Sequence, residues 1–502
     1  MRFPSATGGW LKAVAIFAAG TLVGAISAIQ VAPAITRTNT TIVGRGPESG
    51  PSSNGSLPTV GPGATTGPSA NLGPTGGGPA AGSAFQCAAG RNGGATDKGV
   101  SAGSIKLATT VVRTGIGAAF LGEVQVAMEA VRNRVNREGG ICGRLIDIRY
   151  VDDAWQPNQG ATYLRNFIQE GVFAIPVGPS SEGLNVVIQN GEIRQAGIPV
   201  VGTDGMVIRQ YTDPWVWPVA VSTASSARIM ARNAYDRGAR NFSIVFDNNY
   251  RFGREAADAY NNEVKRLNKS SKGVDGYNKD YTCQQSFCGI SSGQSSYSSQ
   301  VKLFEPGDFV AMFLEPATAL TWMATPGAPR ASATAGAADV VKYGIGAGQP
   351  LFTRNFAVNC QSSCDQIWVW TGFKPPIENY ANDPAVKTFV SDLAKTKPNA
   401  DRFNQFSEGG YVGMRLLVEA MRIVGPNLTR ARLRAALDSM TFESGLALQG
   451  PLHWRSCANR GACTHFAAAT MQAFAIQFRG TFSGWRTKTL AVDPKPDVET
   501  EY

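Results

Sequence analysis

Few residues of this chain are arranged for covalent chemistry. Asp152 and Asp153 adjoin at the end of an apolar run, Leu145-Ile-Asp-Ile-Arg-Tyr-Val151, and two neighbouring carboxylates are the pattern of general acid–base work. Adjacent strand residues point to opposite faces, so this pair cannot serve one substrate face, and a structural role is expected. The chain has only two histidines, His453 and His465, and lacks a Gly-x-Ser-x-Gly elbow, a His-Glu-x-x-His pattern and a phosphate loop. No catalytic residue, metal or cofactor is therefore expected, and the chain does not read as an enzyme. The remaining chemistry is non-covalent. Ser180 and Ser181 follow a strand and open a helix, where hydroxyls and free backbone N–H groups suit a carboxylate or another anion. The plainer reading is a helix cap, worth about 1 kcal/mol. In Gly202-Thr203-Asp204-Gly205-Met206, at the end of the next strand, Asp204 is either a ligand for a cation or a turn residue, since Asp-Gly favours turns.

The eight cysteines are Cys87, Cys142, Cys283, Cys288, Cys360, Cys364, Cys457 and Cys463. Three close pairs have four, three and five residues between partners, and local loop disulfides are the simplest reading, which leaves Cys87 for Cys142. The connectivity stays open. Zinc fits less well, because no spacing is Cys-x2-Cys and the histidines form no ligand pair with the cysteines. Disulfides imply an oxidising, extracytoplasmic compartment.

The elements that must position these residues are β-strands and helices in alternation. Ser104–Val111 is short, apolar and β-branched, as a buried strand is. Val124, Ala127, Met128, Val131 and Val135 follow at helical spacing, and Gly139-Gly140 stops the helix. Residues 145–151, 172–177 and 198–201 read as further strands, with helices at 158–169 and 182–195 between them. The pattern resumes with a helix at 223–237, a strand at 242–246 and a helix at 252–267. A polar loop at 270–293, a helix near 296–304, a strand at 309–314 and a helix at 317–325 follow. Residues 326–349 give no clear signal; helices are expected at 385–396, 408–424 and 429–438. Repeated β-α units mean parallel sheets covered by helices, with small molecules bound at the carboxyl ends of the strands.

Residues 10–35 carry one charge, Lys12, and the apolar stretch after it is long enough to cross a bilayer. Arg2 and Lys12 mark its amino end as cytoplasmic. It is expected to be an uncleaved anchor, with a cleaved secretory signal as the alternative; Ala32-Pro-Ala34 makes an awkward cleavage site. Residues 36–84, rich in Gly and Pro, are expected to be a disordered tether. Formal net charge is +10. The lysines and arginines are scattered and no nucleic-acid motif accompanies them, so nucleic acid is not an expected partner.

The order of several weak motifs carries a resemblance. The first strand, then Thr114-Gly115, Gly139-Gly-Ile-Cys-Gly-Arg144, Tyr150-Val-Asp-Asp-Ala154, Pro157 and Gly178-Pro-Ser-Ser181 resemble the type I periplasmic binding proteins, in particular the leucine/isoleucine/valine-binding proteins of ABC importers. Gly197-Ile-Pro199, Phe252-Gly253, Asp383-Pro384, Gly410-Tyr411 and Gly450-Pro-Leu-His-Trp454 extend it over roughly residues 103–478. The resemblance implies two Rossmann-like α/β lobes joined by a three-crossover hinge, lobe 1 from 103–221 plus 373–446 and lobe 2 from 222–372 plus 447–490. It further implies a monomer that captures a small polar solute, a branched-chain amino acid or amide, and delivers it to an ABC permease. A membrane-anchored ligand sensor, or a degenerate cleft with a protein partner, is the alternative. By resemblance, Ser180 or Ser181 meets a ligand carboxylate, and Thr203, Asp204, Gly205 and Met206 hold the ligand backbone. Phe120 packs on the ligand, Phe252 closes the cleft from lobe 2, and Glu315 and Asn355 line that lobe. The acidic partner for a ligand ammonium, expected near Asn355, is missing.

Overall fold

Apolar, β-branched strands begin the first sheet. Ser104–Val111 (β1) pairs in parallel with Leu145–Asp152 (β2) along its whole length. In a computed structural model that describes residues 87, 91–331, 340–454 and 465–493, the parallel bridge Leu107–Ala174 extends this pair. Ile175–Pro176 (β3), Val200–Val201 (β4) and Val216–Trp217 (β5) follow, all parallel, giving the order β2-β1-β3-β4-β5. The third and fourth strands are shorter than the expected 172–177 and 198–201. Pro176 and Pro199 have no N–H for the ladder, which limits regular pairing there.

Among the described residues the second sheet has seven strands. Phe242–Asp247 (β6), Phe287–Ile290 (β7), Phe309–Phe313 (β8), Ile345–Ala347 (β9) and Trp368–Thr371 (β10) are parallel, in the order β10-β9-β8-β6-β7. After a small ribbon, Thr441–Phe442 (β11) with Leu452–His453 (β12), the long hairpin Thr470–Arg479 (β13) and Thr481–Val492 (β14) adds to β10 antiparallel. The strands β7, β9 and β10 and the final hairpin were not expected from the sequence. The first three are short, and no clear alternation marks them.

The helices sit close to their expected places. Pro157–Glu170, Thr223–Asp236, Arg251–Leu267, Pro384–Thr396, Gln405–Val424 and Arg430–Ser439 are each within three residues of the sequence reading at both ends. The helix expected at 182–195 is two, Ser181–Gln189 and Glu192–Ala196, because Gly191 takes φ +71 between them. Disulfides join Cys87 to Cys142, Cys283 to Cys288 and Cys360 to Cys364, as the sequence favoured. The expected fourth pair, Cys457 and Cys463, and the segment 10–35 lie outside the described residues. Among the described residues no helix is long and apolar enough to cross a membrane.

The chain passes between the two sheets three times, and the crossings lie side by side. Gln349 donates from Nε2 to the Val221 carbonyl at 2.7 Å. Phe373 bridges Ala447, and Lys374 N donates to the Leu446 carbonyl. After the second crossing, Pro384–Thr396 and Gln405–Val424 return to pack on Val124–Arg137, where Arg134 pairs with Asp392 at 2.6 Å. The helix Gln405–Val424 reaches the first sheet through two glycines. A Cβ on Gly413 would stand 2.4 Å from the Gly202 carbonyl oxygen and 2.7 Å from its Cα. Helix propensity alone would make Gly413→Ala stabilising by about 1 kcal/mol. The close approach reverses that sign, and we expect a net loss of about 1–3 kcal/mol in denaturant unfolding. A more stable variant would show that helix and sheet can separate freely.

Candidate functional site

The carboxyl ends of the two sheets meet, and the residues after those ends form one seam. Trp155 follows β2 and Tyr250 follows β6; their rings stack with centroids 4.1 Å apart and planes 19° from parallel. Phe120 meets Trp155 edge-on at 5.2 Å, and Phe252 lies 5.9 Å from it. Glu182, after β3, accepts from the Arg251 backbone N–H at 2.7 Å, and Glu255 accepts from the Ile208 backbone N–H at 2.7 Å. All of these contacts except that of Phe120, which follows β1, join a group carried by one sheet to a group carried by the other.

The two aspartates that first looked catalytic have a different task. Asp152 Oδ1 accepts from the Ala154 N–H at 3.1 Å, and Asp153 Oδ1 accepts from the Trp155 N–H at 3.0 Å. Ala154 and Trp155 are both left-handed, at φ +51 and +59, a conformation costing about 1–2 kcal/mol per non-glycine residue. The aspartates hold that turn and so place the indole in the seam.

The expected site residues divide into three groups. Ser180, Ser181, Thr203 and Asp204 are all buried at the carboxyl ends of β3 and β4. Neither serine caps the helix Ser181–Gln189 through its side chain. The hydroxyls of Ser181 and Thr203 have no hydrogen-bond partner, and that of Ser180 approaches Asp153 without closing a full bond. Asp204 is a turn residue, its Oδ1 accepting from Met206 N at 3.2 Å, while its Oδ2 has no partner. Gly205 is required where it stands, since a Cβ would lie 1.9 Å from the Tyr211 hydroxyl oxygen. The Met206 carbonyl accepts from Thr223.

Phe120 and Phe252 form a second, fully buried group behind the Trp155–Tyr250 stack. Glu315 and Asn355 differ from expectation. Glu315 caps the helix Pro316–Ala324, accepting from the Ala317 and Thr318 N–H groups, so both its oxygens are engaged. Asn355 is exposed on the helix Arg354–Cys360 and bonds Asn359; it borders an open groove with Lys397, Phe403 and Trp485, apart from the other residues. The residue that follows β9 into the seam is Gln349, with its Oε1 unpartnered. Trp155, Glu182, Asp247, Tyr250, Glu255 and Gln349 were missed; all but Glu255, which lies within the helix Arg251–Leu267, stand at the end of a strand or in the turn or helix start that follows it.

A family model described as periplasmic binding protein matches residues 104–477, and the chain belongs to that family. Solved structures share the fold. A fatty acid ABC transporter substrate-binding protein from Thermomonospora curvata is 17% identical with TM-score 0.63, covering 80% of this chain and 95% of its own. A leucine binding protein from Thermotoga maritima is 15% identical with TM-score 0.59, covering 78% and 99%. A solute binding protein of an ABC transporter from R. palustris, in complex with benzoate, is 16% identical with TM-score 0.58, covering 78% and 97%. No curated protein matches the sequence.

Burial dominates the electrostatics of the seam. Loss of water pushes Asp204, Glu255 and Asp247 up to about 7 and Asp153 up to about 6, and raises Glu182 and Glu315. Arg251 offsets part of this at Glu255, its Nε 2.6 Å from the carboxylate, and Arg251 and Arg254 both act on Glu182. Asp152 is different. Burial works to raise it, but hydrogen bonds from Arg113, Ala154 and Thr114 hold it below the usual carboxylate range.

A carboxyl raised in the folded chain binds its proton more tightly there than when unfolded. Its stabilising contribution is full below about pH 4 and is lost as pH rises towards 7. Melting at pH 5 and pH 8 should therefore show a smaller loss for Asp204→Asn than for the parent chain, with the variant more stable at pH 8. Equal losses in both would mean that Asp204 ionises as freely as in water.

Proposed function

We propose that this chain is the extracytoplasmic substrate-binding component of an ABC-type importer, capturing a small organic solute in the seam between its sheets. Lobe 1 is residues 103–221 plus 373–446 and lobe 2 is 222–372 plus 447–490, hinged where the three crossings lie together. Residues 1–35 anchor the chain to the membrane, and residues 36–84 give it reach towards a permease. The observation that carries this reading is the set of buried, unpartnered polar atoms at the strand ends: Ser181 Oγ, Thr203 Oγ1 and Asp204 Oδ2. Leaving such groups unsatisfied costs about 1–3 kcal/mol each, and a solute that bonds them recovers that loss. Contacts to both lobes then favour the closed arrangement over the open one. Family membership and the substrate-binding proteins that share the fold support the same reading.

Thermal melting against amino acids, amides, aromatic acids, fatty acids and organic amines tests it. A solute at about a hundred times its dissociation constant should stabilise the chain by roughly 2.7 kcal/mol. Ser181→Ala should weaken that solute about tenfold while leaving the unliganded melting temperature the same or higher, since an unsatisfied buried hydroxyl is removed. No shift with any class would favour a protein partner over a transported solute.

A further inference from the structure

The seam is unevenly charged. On one side, Glu182, Glu255 and Asp204 share their surroundings with Arg251, Arg254 and Arg209. Arg251 pairs with Glu255, and Arg209 donates to Gln189 at 2.6 Å. On the other side stands Asp247, in the field of Glu315, and among the described residues neither forms an ion pair with a guanidinium or ammonium. Asp247 is fully buried; its Oδ1 accepts from Asn249 N at 3.0 Å, and its Oδ2 has no hydrogen-bond partner of full geometry. Tyr250 lies in the field of Asp247, Glu315 and Glu182 together. Its ring is one face of the Trp155 stack, and the indole N–H of Trp155 is itself buried and unpartnered.

Buried acidic groups around two parallel aromatic faces favour positive charge, because a cation offsets the loss of water that opposes their ionisation. An anion brought there would face like charges in a medium that screens them poorly. A cation gains from the ring quadrupoles, most strongly from an indole, and from Asp247, which Ser292 approaches and whose Oδ2 lacks a full hydrogen bond. The present stack is at contact distance, so a flat guest needs the faces to part by roughly 3.5 Å, one more van der Waals layer. Hinge opening between the lobes provides such a motion.

We infer that the solute taken by this chain is a cation with a flat apolar face, an amidinium, guanidinium or aromatic ammonium, held between Trp155 and Tyr250 with its charge towards Asp247. The inference rests on the solute-binding reading above and narrows it.

Benzamidine, benzamide and benzoate have nearly the same shape and carry one positive, no and one negative charge, so they separate charge from fit. Binding to the full chain is followed by calorimetry and by quenching of tryptophan fluorescence. Benzamidine should bind at least tenfold more tightly than the other two. Asp247→Asn should remove most of that preference, and Tyr250→Phe, which keeps the ring, should not. Melting of each variant shows whether it is folded. If benzoate or benzamide binds as well as benzamidine, or Asp247→Asn leaves the preference intact, the cation assignment is overturned and solute binding stands. If all three fail and the wider panel yields only neutral or anionic solutes, the assignment is likewise overturned. If no solute of any charge binds, both readings fall.

Discussion

Parallel pairing is the constraint on which the rest of this molecule depends. A parallel strand cannot return by a tight turn, so each one leaves its sheet at the carboxyl end and comes back through a helix. Every such exit places loop residues and helix starts along one edge of a sheet. In this chain two sheets present those edges to each other, and the residues that leave β2, β3, β4, β6, β8 and β9 fall into a single seam. Trp155, Ser181, Asp204, Tyr250, Glu315 and Gln349 are neighbours for that topological reason and for no reason of sequence proximity.

Burial then decides what the seam can do. Carboxylates taken out of water resist ionisation unless a cation or hydrogen bonds offset the loss. Glu315 obtains its offset from the first turn of the helix Pro316–Ala324, and Glu255 from Arg251. Asp204 and Asp247 each have one oxygen engaged and one without a full bond. This leaves hydrogen-bonding capacity that a partner supplying donors or charge would use. The three crossings lie next to the seam, so opening it needs backbone rotation at a few positions while each sheet keeps its core.

Much of the fold was legible because its signals are local. The helices Pro157–Glu170 and Arg251–Leu267 follow from apolar periodicity, and β1, β6 and β8 from short β-branched or aromatic runs. The hairpin β13–β14 was missed because it pairs with β10, about a hundred residues earlier, and no local pattern announces such a partner. The site was legible in position and less so in identity. Serines at a strand-to-helix junction were expected to meet a ligand carboxylate, and they lie buried without capping the helix, whereas Glu315 has the ordinary role of a cap. Asn355 was misplaced because the short turn Gln349–Leu351 and the start of a helix intervene between β9 and that residue. Trp155 was invisible for another reason: its place depends on two left-handed residues, and nothing in Asp-Asp-Ala-Trp declares that turn.

That turn bears on how one fold serves different solutes. Proteins with this fold and 15–17% identity are associated with a fatty acid, with leucine and with benzoate, so the scaffold does not choose the ligand. The choice lies in side chains at the strand ends, and these select only if they keep their positions while the seam is open. Asp152 and Asp153 provide for that in the case of Trp155. Their hydrogen bonds to the Ala154 and Trp155 N–H groups are made within two residues of chain, and the Phe120 and Phe406 rings behind the indole belong to the same side. When Tyr250 moves away with the second sheet, none of these contacts needs to change. In the proposed opening Trp155 would thus remain a fixed platform, with one wall of the seam ordered before any solute arrived.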